Sequence, residues 1–338
     1  MKKLVSLLLV VLSLFVVLTG CGNKAAEPTN DNEGDAATTY VVANTPKCVG
    51  IAWWDRMEVG NQKWAAATGN EVTQTGGDAG ADASAQLQYI EDAISDGVDI
   101  ITVIPNDPSA CETTCKKAMD AGIVVISHEA QTMKNVNYDI EAFNNEEYGA
   151  HMMDLLAAEC GGEGEYCVVV GNFASESHRQ WEAGADAQAA AKYPGMVKLD
   201  TIEGATSEDT RTKVKEVIAA HPNVKGFIGC DMVNPTGIAD AVADAGKTGE
   251  IAVTGTCLTS VCGDYVKSGA IKTFCAWDPA IAGQAMCALG VLVKEGTPIT
   301  DGMDLGVEGF HNIKLEGNVV FGQAWFDGTI DTLADYDF

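Results

Sequence analysis

The feature that most constrains the fold is a long alternation of short, unbroken apolar runs with segments of helical spacing. The runs are "CVGIAWW" (48–54), "VDIITVIP" (98–105), "IVVIS" (123–127), "EYCVVVG" (165–171), "MVKLDTIEG" (196–204), "VKGFIGC" (224–230) and "IAVTG" (251–255). Each has strand length, and most are apolar at consecutive positions, so both faces must be covered; that is the mark of a parallel sheet. Helical spacing fills the gaps. In "SAQLQYIEDAISDG" (84–97), Leu87, Ile90, Ala93 and Ile94 share one face and Gly97 closes the helix. "VGNQKWAAATG" (59–69) ends in Gly69, and "PSACETTCKKAMDAG" (108–122) opens on Pro108 and ends in Gly122. Further helices are expected over 175–193, 207–221 and 234–246, the second opening on a weak capping box, Ser207 to Thr210. Two such series, in a chain longer than one core usually fills, predict an α/β fold of two doubly wound parallel-sheet lobes.

The N-terminus is a different kind of sequence. Met1-Lys2-Lys3 precedes the apolar run Leu4–Leu18, followed by "LTGCGNKAA" (18–26). A basic start, an apolar stretch and small residues make a secretory leader, expected over 1–20. Leu18-Thr19-Gly20-Cys21 resembles the bacterial lipobox, which implies that Cys21 becomes a lipidated N-terminus and the membrane is met only through that anchor. Residues 21–45 are expected to be a flexible tether, because Gly22–Thr39 hold almost no large apolar side chains.

The formal charge of −27 becomes −29 once Lys2 and Lys3 leave with the leader. A surface so acidic excludes nucleic acid and anionic lipid as partners. Of eleven cysteines, Cys21 is taken by the lipobox. The even remainder allows disulfides in an exported chain, with Cys111/Cys115, Cys160/Cys167 and Cys257/Cys262 close in sequence; buried free thiols are the alternative. No C-x2-C pair comes with matching histidines, so no metal and no other cofactor is expected.

In doubly wound sheets, ligands sit beyond the carboxyl ends of the strands. The residues at those exits are Trp53, Trp54 and Asp55, then Asn106 and Asp107, then His128 and Glu129. Further on come Ser177 and His178, then Asp231 and Met232, and, after a run over 271–276, Trp277 and Asp278. On an extended chain Trp53 and Trp54 would point to opposite sides, one of them into the core. Aromatic rings that stack on C–H faces, alternating with groups that take hydroxyls, suit a sugar.

"VGIAWW", "DGVDIITVIPNDPSA", "GIVVISHEA" and "TFCAWDPAIAGQ" resemble the periplasmic sugar-binding proteins of ABC transporters, the ribose-binding-like or type I group. "TPKCVG" (45–50), "HRQWEAGA" (178–185), "FCAWDPAIAGQ" (274–284) and the terminal "DYDF" narrow the resemblance to autoinducer-2-binding lipoproteins and their rhamnose-binding relatives. That resemblance implies a type I fold whose chain crosses the hinge three times, with lobes of 46–141 plus 278–305 and 142–277 plus 306–338. It implies Lys47 as a ligand-binding lysine. A pocket aspartate of the branch corresponds to Glu129, a second to Ser177, and a glutamine to His178. Backbone contacts of the branch fall at Cys230 and Met232, around Asp231. The implied function is capture of autoinducer-2, or of an ordinary sugar such as rhamnose or ribose, by a monomer that hands it to a membrane permease.

Two other classes share parts of this pattern. His128-Glu129 and His178-Asp231 could be acid–base pairs of an enzyme, but no nucleophile elbow, P-loop or H-E-x-x-H accompanies them. Transcription regulators of this architecture carry a helix-turn-helix where this chain has the lipobox. A sensor that shows its closed form to a chemoreceptor or kinase would share the binding step.

Overall fold

The computed structural model describes residues 38–78 and 83–338. The segment read as a leader, Cys21 and most of the segment read as a tether lie outside them. The chain runs β1 (Val41–Thr45), α1 (Ala52–Thr68), β2 (Glu71–Gln74), α2 (Ala83–Asp96), β3 (Ile100–Val103), α3 (Pro108–Asp120), β4 (Val124–His128) and β5 (Tyr138–Glu141). There follow α4 (Asn145–Cys160), β6 (Glu163–Val170), α5 (Glu176–Lys192), β7 (Gly195–Lys198), β8 (Ile202–Glu203), α6 (Ser207–Ala220), β9 (Val224–Gly229), α7 (Asn234–Asp244), β10 (Ala252–Gly255), α8 (Thr259–Ser268) and β11 (Phe274–Trp277). Last come α9 (Pro279–Lys294), β12 (Lys314–Glu316), β13 (Val319–Phe321) and β14 (Trp325–Gly328).

The first lobe is built on a seven-stranded sheet in the order β12-β13-β5-β4-β3-β1-β2, parallel except for the β12–β13 hairpin. The second is built on β10-β9-β6-β7, all parallel, with the short β8 also on β6. β11 and β14 pair antiparallel, and a bridge from Thr256 to Cys275 ties them to the second sheet. The chain passes between lobes after β5, after β11 and after β13, so the two lobes expected from the alternation of elements are joined by the three crossings that the family resemblance implies. α9 packs on α1 and on β3 and β4, which puts 279–294 in the first lobe.

Several boundaries differ from the sequence reading. The first strand is Val41–Thr45, inside the segment read as tether, and "CVGIAWW" is not a strand. Pro46 ends β1, and Trp53, Met57, Gly60 and Trp64 recur at helical spacing and are buried together in α1. Residues 314–321 belong to the first sheet, not with 306–338 in the second lobe, because β13 pairs with β5. α6 is capped by Thr206, whose hydroxyl accepts from Asp209 N, so Ser207 is the first helical residue.

Three helix pairs, α1–α9, α4–α5 and α6–α7, come close enough to exclude a Cβ. Gly60 of α1 lies against the backbone of Ala280, and Gly149 of α4 against the carbonyl of Trp181 in α5. These contacts bring backbone to backbone and lock α1 to α9 and α4 to α5. Near the crossings sits an aromatic cluster of Trp53, Phe143, Tyr148, Trp181 and Trp277, all buried. Trp277 meets Trp53 edge-on with centroids 4.6 Å apart, Phe143 at 5.1 Å and Trp181 at 5.6 Å.

Candidate functional site

A cavity of about 480 Å³ opens between the lobes, at the carboxyl ends of both sheets. From the first lobe, β1 delivers Lys47, β3 delivers Asn106 and β4 delivers Glu129, while the start of α1 contributes Trp53 and Trp54. From the second, the exit of β6 brings Ser175 and His178, β9 brings Asp231 and Met232, and Trp277 closes the wall. Trp53 and Trp54 both line it because the chain there is helical, which corrects the expectation that an extended chain would send one of them away.

The exits of β1 and β3 are held by a buried amide. Gln86 donates to the carbonyls of Thr45 (3.0 Å), Pro46 (3.1 Å) and Ile104 (2.7 Å), and accepts from Asn106 N at 2.9 Å. Asn106 Nδ2 then donates to the carbonyl of Lys47 at 2.7 Å, which fixes the backbone from which the lysine reaches into the cavity.

The charged centre is an ion pair. Lys47 Nζ stands 2.6 Å from Glu129 Oε2 and donates to Ser175 Oγ at 3.2 Å; Ser177 Oγ donates to the same Oε2 at 2.8 Å. Burial alone would push the Glu129 carboxyl up, but the Lys47 ammonium overrides it and holds the group down at about 2. Glu129 is also the one non-glycine among the described residues with left-handed backbone, φ +58°. That conformation costs free energy and is sustained only by its surroundings. Here it turns the side chain from the end of β4 toward Lys47.

His178 is neutral. Burial, and after it the Lys47 charge, push its pKa down to about 3. Gly171 N donates to Nδ1 at 3.2 Å, which leaves the proton on Nε2. Asp231 has one oxygen engaged by Val233 N at 3.2 Å, and burial raises its pKa.

Five residues expected at the site do not line the cavity. Asp107 caps α3, accepting from Ser109 N at 2.9 Å. Asp278 caps α9 through Ala280 N and takes a bidentate pair from Arg56 at 2.8 and 2.6 Å. His128 is the last residue of β4; it is buried and its Nδ1 is 2.5 Å from the carbonyl of Ile140. Cys230 is buried behind Asp231. Ser177 is fully buried and acts on Glu129. Residues not foreseen include Cys48, Ser175, Trp181, Glu203, Thr206 and Thr256. Thr256 is oriented by Tyr148, their oxygens 3.1 Å apart. Next to it Cys257 and Cys262 form a disulfide, while Cys111, Cys115, Cys160 and Cys167 are free thiols.

Residues 42–298 match the model of the periplasmic binding protein domain. The chain belongs to that family. Among curated relatives, the D-allose-binding periplasmic protein of Escherichia coli (strain K12) is 25% identical over 261 residues, covering 73% of this chain and 82% of its own. Among solved structures, an ABC transporter solute binding protein from Clostridium phytofermentas with bound L-rhamnose superposes with a TM-score of 0.82 at 21% identity, over 89% of this chain and 98% of the other. LsrB from Clostridium saccharobutylicum in complex with AI-2 gives 0.80 at 21%, over 88% and 100%. At these identities the two structures establish the two-lobed fold.

Proposed function

We propose that this chain is the extracytoplasmic substrate-binding component of an ABC transporter, and that it captures a small polyhydroxylated ligand in the cavity between its lobes without transforming it. The relatives named for allose, rhamnose and AI-2 support the class. Cys21 would tether the body outside the membrane, and a permease would recognise the closed form. Ligand that touches both lobes favours closure by differential binding.

Within that class we assign the ligand as autoinducer-2. The observation that carries the assignment is Lys47 in the cavity. Its ammonium has three N–H donors; Glu129 and Ser175 take two, and the third is left for a ligand hydroxyl. Glu129 keeps a second oxygen as acceptor, Asp231 another, and neutral His178 offers an N–H. An ordinary monosaccharide is the second reading, favoured by the indoles of Trp53, Trp54, Trp181 and Trp277 along the wall, which suit the C–H face of a pyranose.

The deciding experiment incubates ligand-free protein with autoinducer-2, ribose, rhamnose and galactose, follows thermal shift, and assays released ligand with a reporter strain. A shift with autoinducer-2 supports the assignment. A shift with rhamnose or galactose and none with autoinducer-2 removes it and leaves the sugar reading. Turnover of any bound ligand would overturn the binding-only function.

A further inference from the structure

The first turn of α5 touches the opposite lobe through three consecutive residues. Ser175 and Ser177 meet the Lys47–Glu129 pair at the cavity. Glu176, between them, does not line the cavity, and reaches instead the segment that links β4 to β5. Its carboxylate accepts Thr132 N at 2.9 Å on one oxygen and the Thr132 hydroxyl on the other. The same residue is held on its own helix by Gln180 Nε2 at 3.1 Å.

Both ends of this contact are rigidly mounted. On the first-lobe side, the carboxylate of Glu112 in α3 accepts Lys134 N at 2.7 Å and Asn135 N at 2.9 Å, and Met133 and Val136 are buried in the core beneath. On the other side, α5 is locked to α4 at Gly149. A two-point, charge-assisted contact between rigid bodies holds at one inter-lobe angle and breaks as that angle opens. It therefore opposes opening whatever ligand lies inside.

We propose that Thr132 and Glu176 form a positioning clasp that sets how long ligand stays in the cleft without touching it. The proposal rests on the reading of the cavity as a ligand cleft. Ligand enters the open form, and in the ligand-free protein the clasp holds only part of the molecules closed, at most about half, so association depends on it weakly. Escape requires the clasp to part, so dissociation depends on it strongly.

The test uses the full-length chain as wild type, T132A, E176A, E176Q and the T132A/E176A double variant. Stopped-flow tryptophan fluorescence follows association and dissociation of autoinducer-2 and, separately, D-ribose as probes. Loss of one charge-assisted contact at a partly exposed rim is expected to speed dissociation about tenfold in E176A, with association changed less than about twofold. T132A removes the partner hydroxyl without altering the charge at the start of α5, so an effect there in the same direction excludes a helix-end artefact. The double variant should be no faster than E176A, and E176Q, which keeps an acceptor, should fall between. Unchanged dissociation, or single effects that simply add, would overturn the clasp. Small-angle scattering of the ligand-free proteins provides an arm independent of ligand identity. The radius of gyration should rise in E176A and T132A relative to wild type, and identical radii would refute the clasp. If neither probe binds wild type, the ligand assignment falls, and scattering alone decides the clasp.

Discussion

Glu129→Gln tests the electrostatics of the cleft most directly. The carboxylate is 4% exposed, pairs with Lys47 at 2.6 Å and accepts from Ser177 at 2.8 Å. Its pKa falls from an ordinary 4.5 to about 2 on folding. A group whose folded pKa is depressed contributes stability that is complete above its unfolded pKa and is lost as pH falls through the folded one. The interval of about two and a half pH units, at about 1.4 kcal/mol each, corresponds to about 3 kcal/mol shared by the Lys47–Glu129 pair. Glutamine keeps the shape and cannot ionise. The expected result is that Glu129→Gln is less stable than wild type by about 3 kcal/mol at pH 6, and that the gap closes between about pH 5 and pH 2, where wild-type Glu129 itself becomes neutral. Guanidinium titrations of both proteins across that range give the difference directly; carboxyl groups remote from Glu129 cancel in it, whereas Asp231 and Glu141, which its charge pushes up, do not. A gap that stays constant from pH 6 to pH 2 would refute the reasoning, because it would mean that the charge of Glu129 contributes nothing and only its hydrogen-bond geometry matters.

Calorimetry with whichever ligand binds should show Glu129→Ala and His178→Ala each losing about 1–3 kcal/mol, roughly tenfold to a hundredfold in affinity, since each leaves a buried ligand hydroxyl unpaired; unchanged affinity would remove both from the site. Cys257→Ser/Cys262→Ser opens a disulfide spanning a sequence separation of 5, and the chain-entropy relation puts the loss near 2 kcal/mol by denaturant titration. Cys21→Ser should abolish lipid labelling and release the protein from membranes in fractionation; processed, membrane-retained protein would refute lipidation.

The fold was readable where burial on both faces left an unbroken apolar run, as in β3, β4, β6, β9 and β10. It was not readable where buried strands carry polar side chains. β1 contains Asn44 and Thr45, both buried and satisfied across the sheet, Asn44 by Gln74 at 2.7 Å and by the Thr102 hydroxyl at 2.9 Å. β5 reads Tyr-Asp-Ile-Glu, with Asp139 and Glu141 fully buried, and no local pattern marks it as a strand. Its partner β13 lies some 180 residues further along, and a pairing over that distance is set by how the lobe closes rather than by any short stretch.

The site shows the same division in finer grain. Reading the strand exits found Asn106, Glu129 and Asp231, and the same rule applied after "MVKLDTIEG" and "IAVTG" would have reached Thr206 and Thr256; Lys47 came only from the family resemblance, because β1, the strand it follows, lies in the segment read as tether. Trp181 stands one turn beyond His178 on the same helical face, a spacing visible in "HRQW". The two aspartates that the rule placed in the cavity wrongly, Asp107 and Asp278, are each followed by proline. Proline in the first turn of a helix makes the preceding aspartate its N-cap, and a carboxylate that accepts its own helix's amides has less left for a ligand. Glu129 is the opposite case. No helix comes directly after β4, so no amides of its own claim its oxygens; the chain turns through a left-handed residue, and the carboxylate is free to pair with a lysine from beyond the end of β1. A capping carboxylate and a binding carboxylate at a strand exit are therefore told apart by the residues immediately C-terminal to them: a proline and a helix consume the acceptor, whereas a turn leaves it to the cleft.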